Sequence, residues 1–214
     1  MKKLIALTTL LLCLCILSNA QDMGHVSLGI KGGYNYSLST YTTNKKLPVK
    51  AVHGGYAGIM LKIPFENRLF FAPQIDVSYR GMQTDSLQKD VYSSIKEFHL
   101  RVQPLLQLNF KHPETKSNTL FVQFGPSIGF GMTGRQIKQD NANTPVSTPL
   151  RYGFKYYGRY DANWHTGIGY ETTKGLRFLL EYAHGLGDMI NSDNGPSLKY
   201  RNISIGIGYW LGKK

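Results

Sequence analysis

The 214-residue chain has almost no cysteine and, beyond its first twenty residues, no long apolar run. Its two cysteines, Cys13 and Cys15, both lie in that first segment, so the remainder forms no disulfide and offers no thiol chemistry. No later window of about 18 residues is uniformly apolar, which excludes a transmembrane helix there. If the remainder is in a membrane, it must be a closed β-barrel, because open sheet edges cannot face hydrocarbon.

The first twenty residues are predicted to be a signal peptide. Lys2 and Lys3 precede an apolar stretch over residues 4–17, which is shorter than the roughly 20 residues that a spanning helix needs. Small residues follow at 18–20, which predicts cleavage before Gln21 after Sec-type export.

The predicted division is therefore a signal peptide over residues 1–20 and a barrel domain over residues 21–214. A lipoprotein anchored through Cys13 is a weaker alternative, because leucines precede this cysteine where small residues are expected.

Positive charge predominates. Of the 25 basic residues, two lie in the signal peptide, which leaves 23 against 13 acidic residues. An exported protein does not ordinarily meet nucleic acid, so we expect no nucleic-acid partner. Anionic lipid headgroups or polysaccharide are the natural partners of such a charge, although an excess spread over solvated loops explains it equally well.

The exported part repeats one pattern, in which apolar and polar residues alternate before each turn. A period of two is typical of β-strands and not of helices. Eight segments carry the pattern, near residues 26–36, 56–63, 69–80, 97–110, 120–130, 161–170, 176–183 and 202–209. Each is long enough, with its flanks, for the about 9–11 residues of a tilted membrane strand.

The connections between these segments alternate in length. Short turns are expected near 64–67, 111–118 and 171–175, and long polar loops near 38–49, 83–94, 134–154 and 186–198. This alternation is typical of outer-membrane barrels, whose long loops face outside the cell. The sequence therefore predicts an all-β, eight-stranded antiparallel transmembrane up-and-down barrel with both termini on the periplasmic side.

A soluble lipocalin-like barrel is the alternative, with the apolar phase turned inward. The polar phase here is rich in Gly, Ser, Asn and Gln, which suits a crowded lumen better than a solvated surface. Aromatic residues also cluster near the strand ends of the apolar phase, as in the girdles of membrane barrels. The expected outer girdle is Tyr36, Tyr79, Tyr160 and Tyr182, and the expected periplasmic girdle is Phe71, Phe110, Tyr170 and Tyr209.

Several motifs resemble those of the PorT-like outer-membrane β-barrel proteins. The segments GIKGGYNYS at 29–37 and FGPSIG at 124–129 are similar to that family's opening and central strands, and 161–170, 176–187 and 202–209 follow its closing strands. The resemblance covers residues 24–212 and implies an outer-membrane protein without known catalytic residues. Many such barrels end on an aromatic residue, whereas this chain continues past Trp210 to Lys214. The namesake's association with a secretion system is not carried over to this chain.

The inward phase holds five cations, four anions and two histidines. These are Lys31, Lys62, Asp76, Arg80, Glu97, His99, Arg101, Asp161, His165, Arg177 and Glu181. An eight-stranded barrel is just wide enough for side chains to fill its interior, whereas a general diffusion pore needs about sixteen strands. We therefore predict a plugged lumen in place of an ion path.

Buried charges must be paired, which predicts the partners within a structural lumenal polar network of Asp76, Arg80, Glu97, Arg101, His165 and Glu181. A register in which paired residue numbers sum to 177 sets Arg80 opposite Glu97 and Asp76 opposite Arg101. A turn centred on Thr173 sets His165 opposite Glu181. At least two of these three contacts are expected.

A lipid-modifying enzyme of the eight-stranded type is the catalytic alternative, and it needs a hydroxyl and a histidine at the lipid interface. The outward candidates are Thr166 and His184. With the turn at Thr173, His184 lies opposite Ala162, about 13 Å from Thr166 at ~3.4 Å per residue. We therefore expect no enzyme, and no cofactor or metal, since the six histidines lack ligand spacing.

The expected function is non-enzymatic. The barrel has a structural, surface-binding or secretion-associated role through its external loops, of which 134–154 is the longest. The expected partners are outer-membrane lipid, the outer-membrane assembly machinery, and a surface polysaccharide or a secretion-system protein, and the expected state is a monomer.

Overall fold

A computed structural model gives the fold of the chain and describes residues 26–42, 46–84, 92–111, 117–139, 145–153, 157–190 and 196–211. The segment 1–20 lies outside these ranges. Within them the chain forms β1 (Ser27–Thr42), β2 (Lys46–Leu47), β3 (Val52–Glu66), β4 (Leu69–Gln83), β5 (Tyr92–Asn109), β6 (Thr119–Gln139), β7 (Pro145–Pro149), β8 (Tyr160–Glu171), β9 (Leu176–Gly185) and β10 (Ser197–Trp210). In the same ranges no helix is long and apolar enough to cross a membrane.

Eight long strands form one closed antiparallel sheet. Each of β1, β3, β4, β5, β6, β8, β9 and β10 pairs with its neighbour in chain order, and β10 pairs with β1 to close the barrel. The short strands β2 and β7 extend the sheet beside β1 and β6. The predicted eight-stranded up-and-down barrel is confirmed.

The strands extend further on the loop side than the sequence predicts. The segments 38–42 and 134–139 were expected to be loops, but they continue β1 and β6, and β7 forms a hairpin with β6. At 21 residues, β6 exceeds the about 9–11 residues that a membrane strand needs. Its outer part therefore stands beyond the membrane, where both faces are polar and no apolar alternation marks it as a strand.

The apolar phase faces outward. Ile128 and Ile205 are 65% and 62% exposed on the barrel wall, whereas the inward Glu97 and His165 are fully buried. Such an inside-out arrangement is unfavourable in water, because an apolar surface this large would remain solvated. It is the arrangement of a barrel whose wall contacts lipid, and it excludes the lipocalin-like alternative.

Candidate functional site

The outer part of the lumen holds a cluster of ions around Arg80. The Arg80 guanidinium donates to Glu97 at 2.8 Å and also contacts Asp161, and His99 lies 3.1 Å from Asp161. The strands β4 and β5 pair in the register that sums to 177, so Arg80 and Glu97 lie directly opposite each other. Both carboxylates therefore share the Arg80 cation, and their side chains are shielded from solvent.

A second cluster lies in the middle of the lumen around Asp76. Its carboxylate accepts hydrogen bonds from Arg101 at 2.7 Å and Gln103 at 2.5 Å, and the Lys31 ammonium lies 2.7 Å away. Asp76 and Arg101 are also direct register partners. One carboxylate therefore compensates two buried cations and joins three strands, β1, β4 and β5.

The third predicted pair is in contact, but the predicted register is wrong. The strands β8 and β9 set His165 opposite Ala183 and Glu181 opposite Gly167. The turn is centred one residue later than expected, because Gly175 adopts a φ of +86° and the Thr172 amide donates to the Leu176 carbonyl. Glu181 still reaches His165 diagonally, with 2.8 Å between Nδ1 and Oε1, since Gly167 has no side chain to block it.

The same histidine links Glu181 to a hydroxyl. The His165 Nε2 lies 2.8 Å from the Ser127 Oγ, so hydroxyl, imidazole and carboxylate form a chain of the kind that activates a serine nucleophile. All three groups are buried in the lumen. One cavity in the lumen has a volume of only about 10 Å³, enough for about one water molecule. It is lined by residues other than these three. The three residues have the hydrogen bonds of a catalytic triad, and none of them lines either of the two described cavities.

We expect Ser127 to be unreactive. A fluorophosphonate probe applied to the folded barrel in micelles should leave Ser127 unlabelled, as measured by intact-protein mass spectrometry with a known serine hydrolase as the positive control. Ser127→Ala should cost about 1 kcal/mol of stability, as the loss of one buried hydrogen bond does. A stoichiometric adduct on Ser127 would contradict this prediction and revive the enzyme alternative.

The outward pair considered for lipid chemistry lies differently from the prediction. His184 is opposite Trp164 and not Ala162, so it is two residues from Thr166 along β8, about 7 Å at ~3.4 Å per residue. The His184 Nδ1 lies 3.2 Å from the hydroxyl of Tyr182, its neighbour on the same face. This histidine is thus part of the aromatic girdle. No group of three or more potential metal ligands gathers among the described residues.

The periplasmic end of the lumen contains residues that the sequence reasoning missed. Glu171 accepts from Lys62 at 3.0 Å, and the fully buried Trp210 lies against Arg177, whose guanidinium is 5.5 Å from the indole centre. Glu171 was assigned to a turn, although it continues the odd-numbered inward phase of β8. With it, the described lumen holds five acidic and five basic residues, a balanced set.

An apolar cap covers the loop end of the barrel, and nothing in the sequence indicated it. The cap consists of Tyr41, Leu47, Met82, Ile95, Leu150, Tyr157, Met189, Ile190, Leu198 and Tyr200. Tyr157 connects the cap to the ions below by donating to Glu97 at 2.7 Å. Burial raises the pKa of Tyr157, and Glu97 raises it further, so the hydroxyl stays protonated and remains a donor.

A closed barrel with an apolar wall and a filled polar interior defines the class of integral outer-membrane β-barrel proteins. The sequence matches the family described as outer membrane protein beta-barrel domain over residues 19–191, and the chain belongs to that family. Its location is accordingly the cell outer membrane.

Solved structures of several outer-membrane barrels are similar to the chain. Ail, the attachment invasion locus protein of Yersinia pestis, in complex with the heparin analogue sucrose octasulfate, is 14% identical with a TM-score of 0.48, over 88% of this chain and 100% of that chain. OprG from Pseudomonas aeruginosa is 13% identical with a TM-score of 0.49, over 88% and 98% of the two chains. Neisserial surface protein A is 9% identical with a TM-score of 0.45, over 87% and 99%. No curated protein sequence matches the chain.

Proposed function

We propose that the protein is a non-enzymatic, non-conducting barrel that acts at its outer surface and binds an anionic surface polysaccharide. The observation that carries this proposal is the charge of the loop end, here called the outer collar. Its exposed cations include Lys46, Lys96, Arg135, Arg151, Arg159, Lys199 and Arg201.

Acidic side chains do not balance this collar within the described residues. The one exposed acid at the loop end of those ranges is Asp188, which accepts hydrogen bonds from the amides of Ile190 at 3.0 Å and Leu198 at 2.8 Å. Its charge is thus engaged by the backbone. Because the lumenal charges neutralise one another, the excess positive charge of this part of the chain lies on its surface, where it attracts polyanions.

The filled interior supports the absence of transport and catalysis. Ionic clusters occupy the outer and middle lumen, an aromatic and ionic layer closes the periplasmic end, and the apolar cap covers the loop end. Because these side chains occupy the lumen, they favour the external surface as the functional part.

Removing collar charge should weaken polyanion binding. We expect the double variant Lys46→Gln with Lys199→Gln to bind heparin about fivefold more weakly than the unmodified barrel, since exposed charge contacts contribute modestly each. Binding should also weaken as salt rises, because exposed charges are screened. The measurement is biolayer interferometry of the barrel in a zwitterionic detergent.

The matched control carries the same change on the other side of the membrane. Lys111 and Lys174 are exposed on periplasmic turns, so Lys111→Gln with Lys174→Gln should bind heparin as the unmodified barrel does. An equal loss in both double variants, or binding that is indifferent to salt, would contradict the proposal.

We also infer the processing and assembly that this location requires. A positive n-region, a short apolar segment and a small-residue site support cleavage of residues 1–20 after Sec-type export. The motifs of β1 and β6 support membership of the PorT-like group. Closure of β10 on β1 leaves the eight-stranded wall without a free edge, which favours a monomer inserted by the outer-membrane assembly machinery.

A further inference from the structure

A β-bulge near the outer end of β6 changes which residues face outward. Phe98 of β5 pairs with Thr133, but the next residue, His99, pairs with Gly131, so Met132 is an extra residue in the ladder. Before the bulge, odd-numbered residues of β6 face the lumen, as Ser127 does. Beyond it, even-numbered residues face inward and Arg135 faces outward. Without the extra residue, the Arg135 guanidinium would point into the barrel.

Arg135, which the bulge turns outward, lies directly opposite Lys96. Lys96 and Arg135 are register partners on the outward face, and both are exposed. Same-face partners have Cβ atoms about 4.5–5.5 Å apart, and like charges at that separation repel each other. No described acidic side chain forms an ion pair with either cation. The bulge therefore creates an unfavourable contact that an anion between the two side chains would relieve.

These two cations border a cleft in the side wall of the barrel. The cleft has a volume of about 460 Å³, and its lining includes Tyr79, Phe98, Thr133 and Pro149 besides Lys96 and Arg135. The rings of Tyr79 and Phe98 pack at 5.2 Å and belong to the outer aromatic girdle. Lys96 is two residues beyond Phe98, about 7 Å further along the strand at ~3.4 Å per residue, which is about 5 Å further from the membrane centre at a strand tilt of about 45°. The cations thus lie where the headgroups of the outer leaflet begin.

We propose that this cleft is a binding site for a phosphorylated membrane lipid. One phosphate lies between the Lys96 ammonium and the Arg135 guanidinium, and the apolar part of the lipid runs down over Phe98 and Tyr79. Arginine and lysine together suit a phosphate, because the guanidinium donates two parallel hydrogen bonds and the ammonium supplies a point charge. The occupant is the lipid of the surrounding membrane, so the site is additional to polysaccharide binding at the collar.

The position of the cleft favours a lipid over a soluble anion. It opens on the side of the barrel, next to the apolar wall, and not on the loop end where the other collar cations lie. A free phosphate would use the two cations alone, whereas a lipid also covers the aromatic rings below them. Pockets that bind small molecules typically have volumes of about 300–1,000 Å³. The cleft is therefore large enough for one phosphate and the adjoining part of a lipid.

The test measures thermal stability of the barrel in dodecyl maltoside with three probes: diphosphoryl lipid A, the same glycolipid without phosphates, and inorganic phosphate. Diphosphoryl lipid A should raise the melting temperature of the unmodified barrel, and the dephosphorylated form should raise it less. For Lys96→Gln with Arg135→Gln, affinity for the phosphorylated lipid should fall about tenfold for each cation removed. Lys111→Gln with Lys174→Gln is the matched control, because both residues are exposed cations on periplasmic turns.

The melting temperature of the lipid-free barrel provides a second test of the proposal. Lys96→Gln alone should raise the melting temperature of the lipid-free barrel, because it removes the like-charge contact, while it abolishes most of the gain on adding lipid. Equal gains from phosphorylated and dephosphorylated glycolipid, or an equal loss in Lys111→Gln with Lys174→Gln, would overturn the proposal. If inorganic phosphate raised the melting temperature as much as the lipid does, the ligand would be free phosphate and not a membrane lipid. The measured quantity is the melting temperature with and without glycolipid, and heparin is absent from every sample.

Discussion

Asp76→Ala is expected to destabilise the barrel by about 3–5 kcal/mol, the cost of breaking a buried ion pair by removing one partner. The carboxylate compensates both Lys31 at 2.7 Å and Arg101 at 2.7 Å, and all three side chains are buried. Its removal leaves two lumenal cations without a carboxylate in direct contact, because Glu181 attracts both of them only at longer range. Urea unfolding of the barrel in micelles, followed by the fluorescence of Trp164 and Trp210, measures the loss.

Two variants separate charge from shape and position. Asp76→Asn keeps the volume and can still accept from Gln103, but it leaves both cations uncompensated, so most of the loss should remain. Glu66→Ala removes an exposed carboxylate from a periplasmic turn and should change stability by less than about 0.5 kcal/mol. If Asp76→Asn were as stable as the unmodified barrel, hydrogen bonding and not charge would hold this cluster together.

The phase of each strand could be predicted because a membrane barrel imposes a strict two-residue repeat. The eleven inward side chains identified from the sequence are all inward in the structure. The pairing of β4 with β5 followed from charge, since the 177 register is the one that joins Arg80 to Glu97 and Asp76 to Arg101. The long loop between β4 and β5 allows more than one register. The charges select among them, because an alternative register would bury unpaired ions.

The hairpin of β8 and β9 shows where this reasoning fails. Its turn was placed from composition alone, and the left-handed conformation of Gly175 moves the register by two residues. A shift of two keeps every side chain on its face, so the contact between His165 and Glu181 survived an incorrect register. A contact between flexible side chains is therefore weaker evidence for register than a ladder of backbone pairs.

The bulge at Met132 and the apolar cap could not be predicted from local pattern. A bulge inverts the phase of everything beyond it, so the assignment of Arg135 to the outer wall requires the pairing partner on β5. The cap gathers side chains from the outer ends of several strands and from the connections around residues 150–157 and 189–190, and such long-range packing leaves no periodic signal in any one of them. The bulge lies at the level of the outer girdle and the cap lies beyond it, where the alternation that identifies the strands ends.

Gly33→Val is expected to prevent stable closure of the barrel. Gly33 and Gly206 are register partners on the seam between the first and last strands, and the Tyr56 side chain packs against both. A Cβ on Gly33 would overlap the Ile205 carbonyl oxygen and lie 2.6 Å from the Gly206 Cα and 2.8 Å from the Tyr56 ring. Two of these neighbours are backbone, which cannot move without separating the strands. We expect a loss of at least about 3 kcal/mol, the upper end of overpacking costs.

Glycines near the seam differ in the atoms that an added Cβ would meet, so their substitutions should differ in effect. Gly55→Val should be tolerated, because a Cβ there meets one atom, the Gly33 carbonyl oxygen, at 3.4 Å. Gly206→Ala should be partly rescued by Tyr56→Phe, since the first atom in its way is the Tyr56 hydroxyl, whereas Gly33→Val should not be rescued by the same change. Migration on a gel with and without heating reports the folded fraction of each variant. If Tyr56→Phe restored Gly33→Val, the obstacle would be the Tyr56 hydroxyl and not the backbone, and this would contradict the prediction.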